Sequence, residues 1–197
     1  MLLDESHIEL RAMLAAGNLE RQFDLLRDLV EIAAKIPSMR VDADMVRWLH
    51  AHATVGLVDE PGVFRKHDVR IGKSLHQPPS YYDVQKHFGD YFVELHLRWD
   101  SYDMYTLAAF ALWRLCWIHP FEDGNGRTAR AVAYLIISLK LGGWLPGRRT
   151  ILERIKLSSE DYKRALQRAD VSYDSGTLDL VPLAKLLSIH TVEQLEG

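Results

Sequence analysis

The chain has 197 residues, 48% of them apolar and 26% charged, with a net charge of −3. That length and balance suit one globular domain with a sizeable core, and no basic run is present to grip a nucleic-acid backbone. One cysteine, Cys116, excludes an internal disulfide and reads as a buried thiol in an apolar stretch.

The N-terminus carries Asp4-Glu5 where a secretory leader needs positive charge, and the longest clean apolar run, Ala131 to Leu139, is far short of the roughly 20 residues that span a bilayer. The expectation is a cytoplasmic protein without membrane or nucleic-acid partners.

The dominant period is helical. Ile8, Leu10, Met13 and Leu14 mark a first short helix. Leu19, Phe23, Leu26, Leu29, Val30 and Ile32 mark a second, ended by Pro37. Asp42 or Asp44 caps a third that carries Val46, Trp48 and Leu49. His50 and His52 do not share a helix face, and no carboxylate or cysteine cluster completes a metal shell, so a structural use is expected. After the turn Asp59-Glu-Pro-Gly62, partial alternation over residues 62–72 predicts a short β-hairpin.

Ser80 and Asp83 form a variant capping box for a helix to about Leu97, with Tyr81 and Tyr82 packing on the core. Ser101 or Asp103 caps a helix to Ile118. It is apolar on more than one face, which predicts the most buried helix, with Arg114 as its exception. A further helix runs from Asn125 or Gly126 to Leu141 and stops at Gly142-Gly143 and Pro146. Ser158-Ser-Glu-Asp161 opens another, and residues 180–195 form the last.

Between the two central helices lies His119-Pro-Phe-Glu-Asp-Gly-Asn-Gly-Arg-Thr-Ala-Arg130. A helix N-terminus offers four unpaired N–H groups and partial positive charge. Gly124 and Gly126 let the backbone turn and approach a ligand, and Asn125 sits between them. Arg127 and Arg130, three apart, add bidentate anion binding. The segment therefore reads as a phosphate cradle. Asp123 beside it would repel a phosphate unless a cation bridges them, and Mg²⁺ suits that role. His119, near a helix N-terminus, reads as a neutral proton acceptor. Phe121 anchors the loop in the core.

The same twelve residues resemble the signature of the Fic family, HxFx(D/E)GNGRxxR, at every defined position. Gly62-Val-Phe-Arg65, Val69 and Ile71-Gly72 resemble the family's β-hairpin flap, and Tyr162 to Asp170 resembles its YxxALxxAN segment near the nucleobase. The similarity covers about residues 42–195. It implies an all-α fold with a small β-hairpin flap. Residues 1–40 then form a helical extension packed on a catalytic domain of residues 41–197, in one structural unit.

What the resemblance implies for function is adenylyl transfer from ATP to a Tyr, Ser or Thr hydroxyl of a target protein. His119 is then the general base and Asp123 holds Mg²⁺. Gly124, Asn125 and Gly126 form the anion hole, Asn125 near the α-phosphate. Arg127 contacts the β/γ side, and Arg130 supports the departing charge. Tyr162 and Asp170 line the nucleobase pocket, where Asp170 replaces the usual Asn. Phe64, Arg65, Val69 and Ile71 dock the target. Gly126 leaves room that the family's kinase-like members fill with a bulky cation. No Ser or Thr is followed four residues later by Glu, so the inhibitory [ST]xxxE[GN] motif is missing from the sequence; Thr191 to Glu196 is one position too long. A separate small inhibitor, as in toxin–antitoxin pairs, or an unrestrained enzyme fits that pattern. Transfer of another nucleotide or a phosphocholine-like group is the alternative within enzymes. A silent nucleotide-dependent binding protein is the alternative outside them.

Overall fold

A computed structural model describes residues 5–72, 74–147 and 149–197, with side chains from residue 7. Residues 1–4, including Asp4 of the N-terminal reading, lie outside that range. Eight α-helices make up the described fold: α1 Glu5–Lys35, α2 Ala43–Thr54, α3 Val84–Arg98, α4 Met104–Ile118, α5 Asn125–Leu141, α6 Ile151–Leu157, α7 Ser159–Asp174 and α8 Val181–Glu196, with a 3₁₀ turn at Tyr81–Asp83. The fold is all-α, as the periodicity predicts.

The centre is the antiparallel pair α4 and α5. Helix α3, α7 and α8 pack on α4, and α1, α2 and α6 pack on α5. From Leu107 to Leu115 every residue of α4 is buried, so this helix has no solvent face. Arg114 is tolerated there because its guanidinium lies 4.5 Å from the Trp117 ring centroid and 3.4 Å from a Glu94 carboxylate oxygen. Asp103, not Ser101, caps α4 by accepting from the backbone of Tyr105 and Thr106.

Four local readings are corrected. The first two expected helices are one helix, α1, which runs unbroken through Gly17-Asn18. The Asn18 side chain points across to α2 and donates to the Val55 carbonyl at 2.8 Å, so it does not compete for its own helix backbone. No β-hairpin forms at residues 62–72; the described part of this segment is an open loop. Its backbone groups bond elsewhere, as Gly62 N–H donates to His50 and Arg65 N–H donates to the Pro120 carbonyl.

The Ser80–Asp83 capping box is not made: neither side chain caps a backbone amide there, and Tyr82 is 79% exposed, stacked on Tyr81 instead of on the core. Helix α6 was not anticipated, although Thr150 and Glu153 form a reciprocal capping box at its start.

Replacing Asp103 with Ala removes the cap of the central helix. The expected loss is about 1 kcal/mol, seen as a lower urea midpoint with an unchanged m-value.

Candidate functional site

The loop joining α4 to α5 holds most of the candidate residues, and it begins with a strained residue. His119 ends α4 with φ 51° and ψ 58°, the one non-glycine with positive φ among the described residues. Its N–H still closes the helix on Leu115, while its carbonyl accepts from Arg65 Nε at 2.8 Å. A left-handed non-glycine residue costs on the order of 1–3 kcal/mol and persists only where surrounding contacts hold it. Here Arg65 does so. Its guanidinium is buried and donates to the carbonyls of His119, His67 and Pro79. Arg65 is thus committed inside the chain and is not displayed on a flap.

The His119 ring is half-buried. Nδ1 lies 3.3 Å from the Cys116 carbonyl, a long contact that favours the proton on Nδ1 and leaves the Nε2 lone pair free. Burial lowers its pKa first and foremost; Arg65 and His76 push the same way, against the Cys116 carbonyl and Asp123. The ring is neutral at pH 7 and able to take a proton.

Past Pro120 the turn closes on itself. Asn125 is buried, and its side-chain amide both accepts from Phe121 N–H at 2.9 Å and donates to the Phe121 carbonyl at 2.8 Å. What Asn125 can offer a ligand is therefore its backbone N–H. Gly124, the N-cap of α5, has φ 78°, and a Cβ there would lie 2.5 Å from Thr54 Cγ2. Only glycine meets both demands. A Cβ on Gly126 would sit 3.3 Å from an Arg130 guanidinium nitrogen, so that arginine lies directly over the turn.

Arg127 and Arg130 serve different neighbours. Arg127 donates to the Ala53 carbonyl on α2 at 2.8 Å and lies 3.4 Å from the Asp123 carboxylate. Arg130 makes no ion pair among the described residues; its charge lies beside the Tyr162 hydroxyl and the Cys116 thiol. Asp123 is 61% exposed, and its Oδ1 accepts from Gly124 N–H at 2.6 Å.

Among the described residues no three metal-ligating side chains gather. A single exposed carboxylate fits a cation that draws its other ligands from substrate oxygens and water, and does not fit a resident metal cage.

The remaining sequence candidates flank this loop. Tyr162 is buried, with its hydroxyl 3.7 Å from Cys116 Sγ. Asp170 accepts from Trp113 Nε1 at 2.9 Å, and burial raises its pKa. Phe64 packs edge-on against Phe88 at 4.8 Å, while Val69 and Ile71 are half-buried.

His50 was read as structural, and its partners could not be seen in the sequence. It is 1% exposed and stacks flat on Phe121, with ring centroids 3.8 Å apart. Gly62 N–H donates to Nδ1 at 2.8 Å, which places the ring proton on Nε2, and Nε2 donates to the Asp123 carbonyl at 2.8 Å. The ring joins α2, the flap base and the signature turn.

His50, Arg65 and the loop from His119 to Arg130 fall within the part of the chain, residues 40–137, matched by the sequence model of the Fic/DOC family, while Tyr162 and Asp170 lie beyond it. The chain belongs to that family. It is 28% identical over 127 residues to a Fido domain-containing protein of Dictyostelium discoideum, covering 61% of this chain and 80% of that one. It is 30% identical over 162 residues to the protein adenylyltransferase Fic of Drosophila ananassae, covering 75% of this chain. It spans only 31% of that relative's length.

Solved structures share the fold. One is a Fic domain-containing signaling protein from Bacteroides thetaiotaomicron, with TM-score 0.72, 19% identity, and 91% of this chain and 69% of that chain covered. Another is Fic-1 of C. elegans, with TM-score 0.69, 20% identity, and 92% and 49% covered. Among the described residues of this Fic chain, no helix is long and apolar enough to cross a membrane.

Burial and the Arg127 charge lower the pKa of His50 from 6.5 to about 4, with burial the larger cause. The folded value lies below the unfolded one, so the unfolded chain binds more protons between them. Stability from this residue is complete above pH 6.5 and declines as pH falls toward 4. The loss is on the order of 3 kcal/mol by pH 4. Urea unfolding of the metal-free protein across pH 4–7 should show that decline, and His50→Gln should flatten it.

Proposed function

We propose that this chain is a protein adenylyltransferase, moving AMP from ATP to a Tyr, Ser or Thr hydroxyl of a target protein. The observation that carries the reading is the strained, neutral His119 set at the mouth of a glycine turn whose amides begin α5. A base and an anion cradle then share one loop.

The step follows from the residues. The target oxygen attacks the α-phosphorus and its proton passes to His119 Nε2. The bond from the α-phosphorus to the bridging oxygen breaks, and pyrophosphate leaves with that electron pair. Transfer of this kind asks the protein for positioning and charge stabilisation. The amides of Asn125 and Gly126, and that of Gly124 once the Asp123 carboxylate turns from it to Mg²⁺, would supply it at the phosphates, with the α5 N-terminus behind them. Arg130, which makes no ion pair among the described residues and lies beside the Tyr162 hydroxyl, supports the charge that develops on the leaving oxygens. Arg127 is steered by the Ala53 carbonyl toward the Asp123 side, where the β and γ groups belong. Asp123 would hold Mg²⁺ carried in with ATP, and the ion would neutralise phosphate charge. The second Asp170 oxygen, free of Trp113, suits the amino edge of adenine.

The flap loop at residues 62–72 faces the target. Without a formed ladder it gains its strand partner only when an extended target segment adds to it, so Val69 and Ile71 meet the target while Phe64 and Arg65 hold the loop's base.

His119→Ala should leave ATP affinity within about threefold of wild type while transfer falls by ~10²–10⁴. Arg130→Ala should weaken both. Calorimetry with ATP, alongside single-turnover labelling of a lysate, separates the two effects. Unchanged labelling by His119→Ala rejects the base assignment.

A further inference from the structure

We infer that His50 is a positioning residue for the phosphate cradle: its Nε2–H, by holding the Asp123 carbonyl, fixes the orientation of the Asp123–Gly124 peptide and so aims the Gly124 N–H. The inference deepens the adenylyl-transfer reading and rests on it for the use of the cradle.

A peptide group is planar, and its C=O and N–H point in opposite directions. The Asp123 carbonyl is drawn to His50 Nε2 at 2.8 Å. The Gly124 N–H must then face away from His50, and it does, meeting Asp123 Oδ1 at 2.6 Å on the exposed side of the turn. The peptide on the N-terminal side of a glycine at φ 78° resists rotation weakly, because glycine has no Cβ to oppose the rotated state. Something else must hold it. On the same peptide the Gly124 N–H meets the Asp123 carboxylate, a restraint given up when that carboxylate binds Mg²⁺; the others are few. The Asn125 amide fixes Phe121, two peptides upstream. Thr128 N–H and Oγ1 both bond to the Gly124 carbonyl, on the next peptide. Only His50 bonds to the Asp123 carbonyl among the described residues.

The ring itself is locked. It is 1% exposed, lies flat on Phe121, and receives Gly62 N–H on its other nitrogen at 2.8 Å. A ring nitrogen that accepts from an amide cannot carry the proton, so the opposite nitrogen must. Gly62 thereby sets the tautomer that Asp123 requires. The base of the flap and the direction of one cradle amide are coupled through one imidazole. Rotation of the peptide would turn a carbonyl toward the phosphates in place of an N–H, replacing attraction with repulsion.

Two substitutions in the full chain divide the roles. Gln places a donor near the Nε2 position, while Asn places an acceptor near the Nδ1 position. His50→Gln keeps the Asp123 bond and loses Gly62. His50→Asn keeps Gly62 and loses Asp123. Both remove one hydrogen bond and aromatic stacking, so a purely structural residue gives similar losses in both variants.

The probe is inorganic tripolyphosphate with Mg²⁺, read by calorimetry, with urea unfolding as the stability control. We expect His50→Gln to bind within about threefold of wild type and His50→Asn to bind roughly tenfold more weakly, at comparable urea midpoints. Equal affinities in the two variants, or losses that track the urea midpoints, overturn the inference, as does a wild type with no tripolyphosphate affinity. Labelling with ATP is measured in parallel. If the tripolyphosphate split is seen and the wild type transfers no AMP, the positioning role stands and the transfer reading falls.

Discussion

The site depends on a loop whose shape is imposed from outside it. Between α4 and α5 the backbone has no ladder of its own, and buried polar groups must find partners or cost about 1–3 kcal/mol each. Those partners arrive from distant segments. Arg65, 54 positions upstream, holds the His119 carbonyl, and His50, 73 positions before Asp123, holds the Asp123 carbonyl. Asn125 closes the interval between them from within. The left-handed backbone at His119 is stable only inside this frame. So is the turn that starts α5.

The frame explains why the rest of the molecule is built as it is. Helices α4 and α5 are so deeply buried that their ends cannot drift. The signature loop therefore joins two fixed points. Helix α2 packs on α5, which brings His50, Ala53 and Thr54 against the turn. The loop after α2 returns to the same place through Gly62 and Arg65. Burial then serves chemistry twice. It disfavours the charged form of His119 and likewise of His50, whose tautomer is set by the Gly62 N–H.

Local signals carried much of this. The helical periods, the Gly142 stop and the cap regions, narrowed to Asp42 or Asp44 and to Ser101 or Asp103, can be read from neighbours within a few residues; the structure selects Asp42 and Asp103. The twelve-residue signature is equally local, and the order of its groups is the order in which the turn displays them. The capping box of Thr150 and Glu153 is equally local.

Other features depend on contacts across the chain. Gly17-Asn18 resembles a break until Asn18 is seen to bond Val55. The alternation of residues 62–72 resembles a hairpin until Arg65 and Gly62 are seen to bond the signature loop and His50. The hold that Arg65 and His50 have on the signature loop has no local pattern, because the carbonyls they bond there, those of His119 and Asp123, lie more than 50 positions away.

The central claim is that this loop transfers the α-phosphoryl group with its nucleoside attached. The direct measurement uses ATP labelled either at the α- or at the γ-phosphorus, incubated with Mg²⁺, the full chain and a cell lysate, and follows label bound to protein. The account predicts stable label from the α position and none from the γ position, which leaves in pyrophosphate. Protein label from the γ position, or none from either while ATP binds normally, contradicts it.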